Sequence, residues 1–337
     1  MTGPPNAGSG WAGPSRLPGI EAVRFVLCYA VILLHITDPP TLRWQWLTVA
    51  ACNAAVPFFF ITSGYFNRID RTSSLGDIFR PARRLGAIFL VWLTIYYASF
   101  TVADGAWSAF HVRNLIDGGR AYHLWFLPAL ACASVLVSLG FRYDQPRLTV
   151  AVCVVLALLA MAPRVFEHAV PAFPGTRALA APLYVVGGKL LARRLFAPHP
   201  LAALAAAVAF WLLAFADAGF AVCLPGRSVL LHSAPLMTYG LGFAVFVLAR
   251  SLPGSRAIRS VAALGGVSLG VYSVHLLMLA LVMPGASAAV PLTVFARAAL
   301  VLAVSTVAAA GIALLPFGWR LASHRRLRLS SLAAPTG

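Results

Sequence analysis

The stretch GIEAVRFVLCYAVILLHIT, residues 19–37, decides the fold class, because it is an apolar run long enough to cross a bilayer as one helix. It contains only three ionisable residues of the acidic, basic or histidine type, Glu21, Arg24 and His35. Ionisable groups inside a membrane span are costly, and they are functional candidates by default. This segment therefore predicts both a transmembrane helix and part of a functional site.

Further apolar runs follow at intervals along the whole chain. With the first, we place ten predicted spans at about 20–37, 46–66, 85–103, 122–141, 148–163, 178–192, 199–216, 229–249, 260–282 and 293–318. Ten spans put both termini on the same side of the membrane. The sequence thus predicts an all-α, polytopic helical bundle of about ten transmembrane helices.

The composition of the 337 residues supports a membrane protein. Hydrophobic residues make up 60% of the chain and charged residues 10%, whereas a soluble domain carries about 25% charged residues. The mean hydropathy is +0.84. These values exclude a soluble, a disordered or a small disulfide-rich secreted protein.

The net charge of +17 would suggest nucleic acid in a soluble protein, but here it reports topology. Cytoplasmic loops of membrane proteins concentrate basic residues. In the ten-span arrangement, 19 of the 26 basic residues lie on the side of the membrane that holds both termini, and seven lie on the opposite side. The seven are Arg43, Arg113, Arg120, Arg164, Arg177, Arg227 and Arg297. We therefore predict cytoplasmic termini, a lipid bilayer as partner and no nucleic acid.

Three regions are expected along the chain. Residues 1–19 are rich in Pro, Gly and Ser and predict a flexible cytoplasmic tail, and residues 320–337 predict a basic cytoplasmic tail. Residues 20–319 form the predicted membrane domain.

Arg24 and His35 share one face of the first helix. They are eleven residues apart, which places them within about 20° of each other and about 16 Å apart along the axis. Glu21 precedes Arg24 by one turn and could pair with it. Each residue also has a purely structural interpretation. Arg24 could extend to the cytoplasmic headgroups, and His35 could hydrogen-bond within the bundle. Their shared stripe instead favours a pocket along the helix.

Four stretches in order along the chain carry a family resemblance. They are Arg24 with ten residues before His35, VPFFFITSGYF at 56–66, the basic loop FRPARRL at 79–85, and YHLWFLPAL at 122–130, supported by SLGVYSVHLL at 268–277. Together they resemble acyltransferase family 3, multi-pass membrane acyltransferases that typically modify sugars and other hydroxyl-bearing acceptors of bacterial envelopes.

The resemblance implies transfer of an acyl group, most often acetyl, from cytoplasmic acyl-coenzyme A to a hydroxyl of an envelope carbohydrate or lipid-linked glycan. Acyl-coenzyme A would be a co-substrate, with no tightly bound cofactor and no metal. The implied location is the bacterial inner membrane. His35 would act as general base and Arg24 would position the donor. Direct transfer and a covalent acyl-histidine both remain open.

The remaining candidate residues fall into two groups. Arg68, Arg80, Arg83 and Arg84 would bind the phosphates of the donor, although the loop could be only a positive-inside anchor. Glu21, Ser63, Tyr65, His123, Trp125 and His275 are candidates for the pocket or the acceptor site. Helix packing at Ser63 and Tyr65, an interfacial aromatic belt at Trp125 and a bundle histidine at His275 are the structural alternatives.

A second function fits the same composition. Ten helices with few intramembrane charges also suit a transporter or an exporter of a glycan precursor. Transporters often carry broken helices at matching positions in two halves, whereas the distinctive residues here cluster in the first half of the chain.

Overall fold

The computed structural model describes residues 17–37, 43–104, 110–165, 176–194, 198–223, 235–282, 291–315 and 317–322. Within these ranges the chain is helical and contains no strand. Most of the predicted tails, 1–16 and 323–337, lie outside the described residues. The all-α class is therefore confirmed for the described part of the chain.

Fourteen α-helices follow one another in the described ranges. They are α1 (Pro18–Ile36), α2 (Arg43–Cys52), α3 (Ala55–Tyr65), α4 (Leu75–Asp104), α5 (Asn114–Asp117), α6 (Phe126–Arg142), α7 (Pro146–Val165), α8 (Ala181–Ala192), α9 (Pro200–Cys223), α10 (Pro235–Ser251), α11 (Arg256–Leu264), α12 (Ser268–Val282), α13 (Pro291–Leu314) and α14 (Trp319–Ala322). Short 3-10 helices cover Gly119–Trp125, Thr176–Ala180 and Gly265–Val267.

Six helical segments in the described ranges are long and apolar enough to span a membrane. They are Pro18–Ile36, Leu47–Tyr65, Leu75–Ala103, Asn114–Arg142, Arg256–Val282 and Thr293–Leu314. Shorter apolar helices lie at Pro146–Met161, Ala178–Ala192, Pro200–Ala216 and Met237–Ser251. These ten positions match the ten predicted runs, while the count of ten spans and the cytoplasmic termini stay predictions.

The second predicted span is broken into α2 and α3. Residues 53 and 54 form a turn between the two helices. Pro57 has no N–H to donate to the carbonyl of Asn53, whereas Phe58 N donates to Ala54 O at 3.0 Å. The proline therefore moves the start of regular hydrogen bonding past Asn53.

The basic segment 79–85, expected as a loop, is helical because α4 begins at Leu75. Ser74 caps this helix: Asp77 N donates to Ser74 Oγ at 3.2 Å, and Ser74 N donates to Asp77 Oδ2 at 3.2 Å. This reciprocal pair is a capping box with aspartate in place of glutamate. The arginines at 80, 83 and 84 consequently project from successive turns of a helix.

Helix α1 lies at the centre of the bundle and contacts α2, α3, α10, α11, α12 and α13. Nearby, α3 and α8 approach closely through glycines. A side chain at Gly64 would collide with Val185 O, and one at Gly188 would collide with Ile61 O. The Ser-Gly-Tyr segment of α3 is thus a packing seam as well as a part of the site.

Candidate functional site: a cavity and a histidine cluster on one pair of helices

Helices α1 and α12 carry the two halves of the site. Arg24 on α1 bonds Ser268 at the start of α12, and His35 near the end of α1 stacks on His275, seven residues further along α12. The two helices therefore run parallel. We refer to the Arg24 side and the His35 side of this helix pair.

Arg24 is buried, with 8% of its surface exposed. Its Nε donates to Ser268 Oγ at 2.8 Å, and its Nη1 lies 3.4 Å from both carboxylate oxygens of Glu21. Ser268 Oγ in turn donates to Gly265 O at 2.6 Å. The predicted pairing of Glu21 with Arg24 is confirmed, and the guanidinium is fixed in orientation by an ion pair and a hydroxyl.

A cavity of about 970 Å³ opens beside Arg24. We call it the Arg24-side cavity. Its polar lining includes Glu21, Thr62, Ser63, Asn67, Ser73, Asp77, Ser134, Ser138 and Ser268, and its basic lining is Arg24, Arg68, Arg80 and Arg84. Four arginines against two carboxylates make the cavity net positive, which favours an anionic ligand.

Three of the four predicted donor-binding arginines line this cavity, and the fourth does not. Arg68, Arg80 and Arg84 line it, and Arg83 lies exposed on α4 outside the lining. Arg80 Nη2 pairs with Asp77 Oδ1 at 3.0 Å. Arg84 is partly buried. A bidentate guanidinium suits phosphate groups, and the binding of a donor by the lining arginines stays a prediction.

Lys189 supports the segment that forms one wall of this cavity. It is 2% exposed and donates to Ile69 O at 2.8 Å and to Asn67 O. Asn67 also donates to Ser138 Oγ at 2.9 Å and accepts from Ile69 N at 2.9 Å. The lysine therefore fixes the chain on both sides of Arg68.

The two polar candidates of α3 separate in the same way. Ser63 lines the Arg24-side cavity. Tyr65 does not line the cavity; it is 7% exposed and packs its ring against Phe66 and Phe246. The structure places Ser63 at the site and Tyr65 in the core.

Three histidines meet on the His35 side. Ring centroids are 5.0 Å apart for His35 and His275, 5.1 Å for His123 and His275, and 6.3 Å for His35 and His123. His123 and His275 are buried, at 2% and 1% exposure, and His35 is partly exposed. We call this group the histidine cluster.

Hydrogen bonds fix the tautomer of His275. Its Nδ1 lies 2.6 Å from Tyr272 O, and a carbonyl only accepts, so Nδ1 carries the proton. The remaining Nε2 is a lone-pair acceptor, buried and without a hydrogen-bond partner among the described residues. His123 is similar: Nε2 donates to Ser273 O at 3.4 Å, and Nδ1 is buried with no partner in the described part of the chain. The cluster therefore presents two acceptor nitrogens that these residues leave unused.

His35 bonds a residue that the sequence did not single out. Its Nδ1 lies 3.0 Å from Tyr122 Oη, and the two rings meet edge to face. When Nδ1 is the donor, Nε2 is left with the lone pair that a general base needs. The structure also adds Tyr96, whose ring lies 4.9 Å from His123 and whose hydroxyl donates to Ser273 O at 2.9 Å.

Trp125 lies near the cluster in sequence but packs elsewhere. It ends the 3-10 helix Gly119–Trp125, and its ring packs on Phe60 at 6.3 Å. His123 belongs to the same 3-10 helix, and α6 begins only at Phe126. Among the residues that the structure describes, no group of His, Cys, Asp or Glu is arranged to hold a metal ion.

Comparison with known proteins defines the class. The sequence profile of acyltransferase family 3, described as an acyltransferase domain, matches residues 17–314. The chain therefore belongs to this family of membrane acyltransferases, and the resemblance seen in the sequence is confirmed.

Curated relatives cover smaller parts of the chain. An amino-acid racemase of Enterococcus faecalis is 29% identical over 161 residues, which are 43% of this chain and 22% of that protein. A serine/alanine racemase of Enterococcus gallinarum is 26% identical over 135 residues, 36% of this chain and 19% of that protein. The matched part thus spans about a fifth of either racemase. No solved structure matches the chain.

Proposed function

We propose that this acyltransferase moves an acyl group, most often acetyl, from cytoplasmic acyl-coenzyme A to a hydroxyl of an envelope carbohydrate or lipid-linked glycan in the bacterial inner membrane. The observation that carries the proposal is the joining of a net-positive cavity to a histidine cluster by α1 and α12. The charges for a donor and the base for an acceptor lie at different levels of the same helix pair, with Arg24 and Ser268 at one level and His35 and His275 at the other.

The distribution of basic residues supports the orientation. Arg68, Arg80 and Arg84 belong to segments that the positive-inside rule assigns to the cytoplasm. The Arg24-side cavity then opens toward cytoplasmic donor, and the histidine cluster faces the outer half of the membrane. A large anion such as a coenzyme with several phosphates matches the volume and charge of that cavity.

The reaction follows from these positions. His35 Nε2 takes the proton of the acceptor hydroxyl, and the hydroxyl oxygen attacks the thioester carbonyl. The carbon–sulfur bond breaks, the proton passes to the leaving thiolate, and the products are an oxygen ester and free coenzyme thiol. Arg24, oriented by Glu21 and Ser268, holds the donor on the cytoplasmic side of the carbonyl.

Ester-linked acyl groups on the envelope test this proposal. Deletion cells are complemented with wild type, His35→Ala, or His111→Ala, which removes an exposed histidine outside the cluster. Acyl groups released by mild base from glycan and lipid fractions are quantified at matched membrane levels. We expect esters to return with wild type and His111→Ala, and to fall at least about 100-fold with His35→Ala.

Two results would reject parts of the proposal. Normal ester content with folded His35→Ala would remove His35 as the base. Unchanged esters in the deletion strain, together with a glycan or small molecule accumulating inside the cell, would favour an exporter instead.

A further inference from the structure

Arg68 lines the Arg24-side cavity, and its guanidinium has no ion-pair or hydrogen-bond partner in the described part of the chain. Two other lining arginines are held by carboxylates. Arg24 is paired with Glu21. Arg80 is paired with Asp77. The place of the Arg68 guanidinium in the cavity wall therefore depends on the backbone that carries it.

Secondary structure does not fix this backbone. Residues 67–70, between α3 and α4, form neither helix nor turn. The direction of such a segment depends on hydrogen bonds from elsewhere in the protein. Lys189 on α8 supplies them, because it donates to Asn67 O and, at 2.8 Å, to Ile69 O. The two carbonyls that flank Arg68 thus share one donor group.

The ammonium of Lys189 faces three oxygens of this segment. Besides the two carbonyls, Asn67 Oδ1 lies 3.4 Å from Nζ. An ammonium has three N–H donors and no acceptor, so the oxygens equal its donors in number. Nζ also lies 5.7 Å from the ring centroid of Phe141. Lys189 is buried and is the one lysine among 26 basic residues.

The close approach of α3 and α8 places Lys189 beside this segment. A side chain at the preceding Gly188 would collide with Ile61 O, and one at Gly64 would collide with Val185 O. The backbones of the two helices therefore touch. Because Lys189 projects from a helix packed this closely on α3, its ammonium has a fixed position relative to the residues that follow α3.

We infer that Lys189 is a positioning residue for donor binding, which directs Arg68 toward a phosphate group of the acyl donor by holding the carbonyls on either side of it. The inference rests on the proposed transfer from acyl-coenzyme A. Lys189 does not line the cavity, so it acts through Arg68 and not on the donor itself. Guanidinium–phosphate hydrogen bonds are directional and often bidentate, so the orientation of Arg68 matters as well as its charge.

A double-mutant cycle between Lys189 and Arg68 tests this inference. Native membranes that carry the full-length protein receive increasing concentrations of labelled acetyl-coenzyme A, and labelled esters released by mild base are measured. The KM for acetyl-coenzyme A does not depend on protein level. We expect Arg68→Gln to raise this KM about tenfold, and Lys189→Met, which misplaces Arg68 without removing it, to raise it about fivefold.

The double variant carries the decisive result. Once the guanidinium is gone, Lys189 has nothing to position, so Lys189→Met with Arg68→Gln should have the KM of Arg68→Gln alone. The kcat should stay within about twofold of wild type in all three variants, because none of them touches the histidine cluster. If Lys189→Met does not fold, Lys189→Gln, which keeps two N–H donors, takes its place in the cycle.

Two further variants separate position from charge. Arg194→Gln removes an exposed charge just after α8 and outside the cavity lining, so the donor KM should stay within about twofold of wild type. Lys189→Arg keeps the buried charge, but a planar guanidinium does not match three oxygens grouped around one nitrogen. Its donor KM should stay at least about threefold above wild type.

The outcomes distinguish this inference from the proposed function. If the wild type forms no ester, the acyl transfer is rejected and the inference with it. If the wild type forms esters and the donor KM is unchanged in Lys189→Met and Lys189→Gln, the role of Lys189 is rejected alone. Effects that multiply to about fiftyfold in the double variant would show that Lys189 does not act through Arg68. A fall in kcat at constant KM, or an equal rise of KM in Arg194→Gln, would also overturn the inference.

Discussion

The Arg24-side cavity and the histidine cluster lie on the same two helices but differ in volume, charge and packing. The cavity holds about 970 Å³ and is lined by serines and arginines. The cluster is built of stacked and edge-on rings, with His123 and His275 almost fully buried. The cavity offers volume and positive charge for a ligand. The cluster offers closely packed imidazole rings, two of which carry buried nitrogens without a proton.

This difference separates binding from proton transfer. A large anion needs several guanidinium groups and space, whereas a general base needs a neutral imidazole held in one orientation. If the two regions work as proposed, substitutions in the cavity should change the KM for the donor, and substitutions in the cluster should change kcat. Arg24 should change both, because it lines the cavity and lies on the same helix as His35.

Arg24→Gln should therefore produce the largest loss of kcat/KM for the donor. It removes one of the four arginines that line the cavity and breaks the ion pair with Glu21, so we expect a fall of about 100-fold or more. Steady-state kinetics in purified membranes would measure the change. Arg24→Lys keeps the positive charge but lacks the planar guanidinium that contacts both Ser268 and Glu21. It should therefore be more active than Arg24→Gln and less active than wild type.

His275→Gln should affect only the histidine cluster, and therefore kcat but not the donor KM. His275 stacks on His35 and holds its ring in place, so the loss should lower kcat about 30-fold and leave the donor KM within about twofold. Ser273→Ala, on the same helix, is the control, because its hydroxyl donates to the helix carbonyl of Leu269. A rise in donor KM that equals the fall in kcat would contradict a role in positioning His35.

Arg84→Gln and Arg83→Gln form a matched pair for the first region. The two residues are adjacent on α4, but only Arg84 lines the cavity. Losing one charge-assisted contact to phosphate should raise the donor KM about tenfold for Arg84→Gln. Arg83→Gln should change it less than about twofold, because an exposed charge outside the cavity is screened by salt. Equal effects would mean that the arginines act only through the overall charge of the segment.

The sequence located the helices and the first helix of the site, because apolar length and the spacing of Arg24 and His35 are local properties. It also contained a signal for the helical start of α4, since Ser74 and Asp77 have capping spacing. The loop prediction for residues 79–85 did not use that signal.

The contacts across the bundle could not be predicted in the same way. Ser268 meets Arg24 across 244 positions of sequence, and nothing in a serine at a helix start identifies its partner. Tyr96 and Tyr122 were similarly hidden among membrane aromatics, which are common at such depths. The rings of Phe59, Phe126 and Tyr272 meet from α3, α6 and α12, so only the packing of those helices shows their contact.

Tyr122→Phe should have the smallest effect and gives the finest test of the histidine cluster. If Nδ1 of His35 donates to the tyrosine hydroxyl, the bond selects the tautomer with a free Nε2. Because Tyr122 is exposed, water can replace its hydroxyl, and kcat should fall only about threefold with the donor KM unchanged.

The contrary result would be equally informative about the chemistry. If kcat rises in Tyr122→Phe, the hydroxyl must donate to Nδ1 in the wild type, and the lone pair of His35 is then occupied by the tyrosine. Nδ1 would be the base, and Tyr122 would have to leave before the acceptor hydroxyl could bind. A solvent isotope effect on kcat would separate the cases, since a proton held between His35 and Tyr122 adds a second exchangeable site to the transfer.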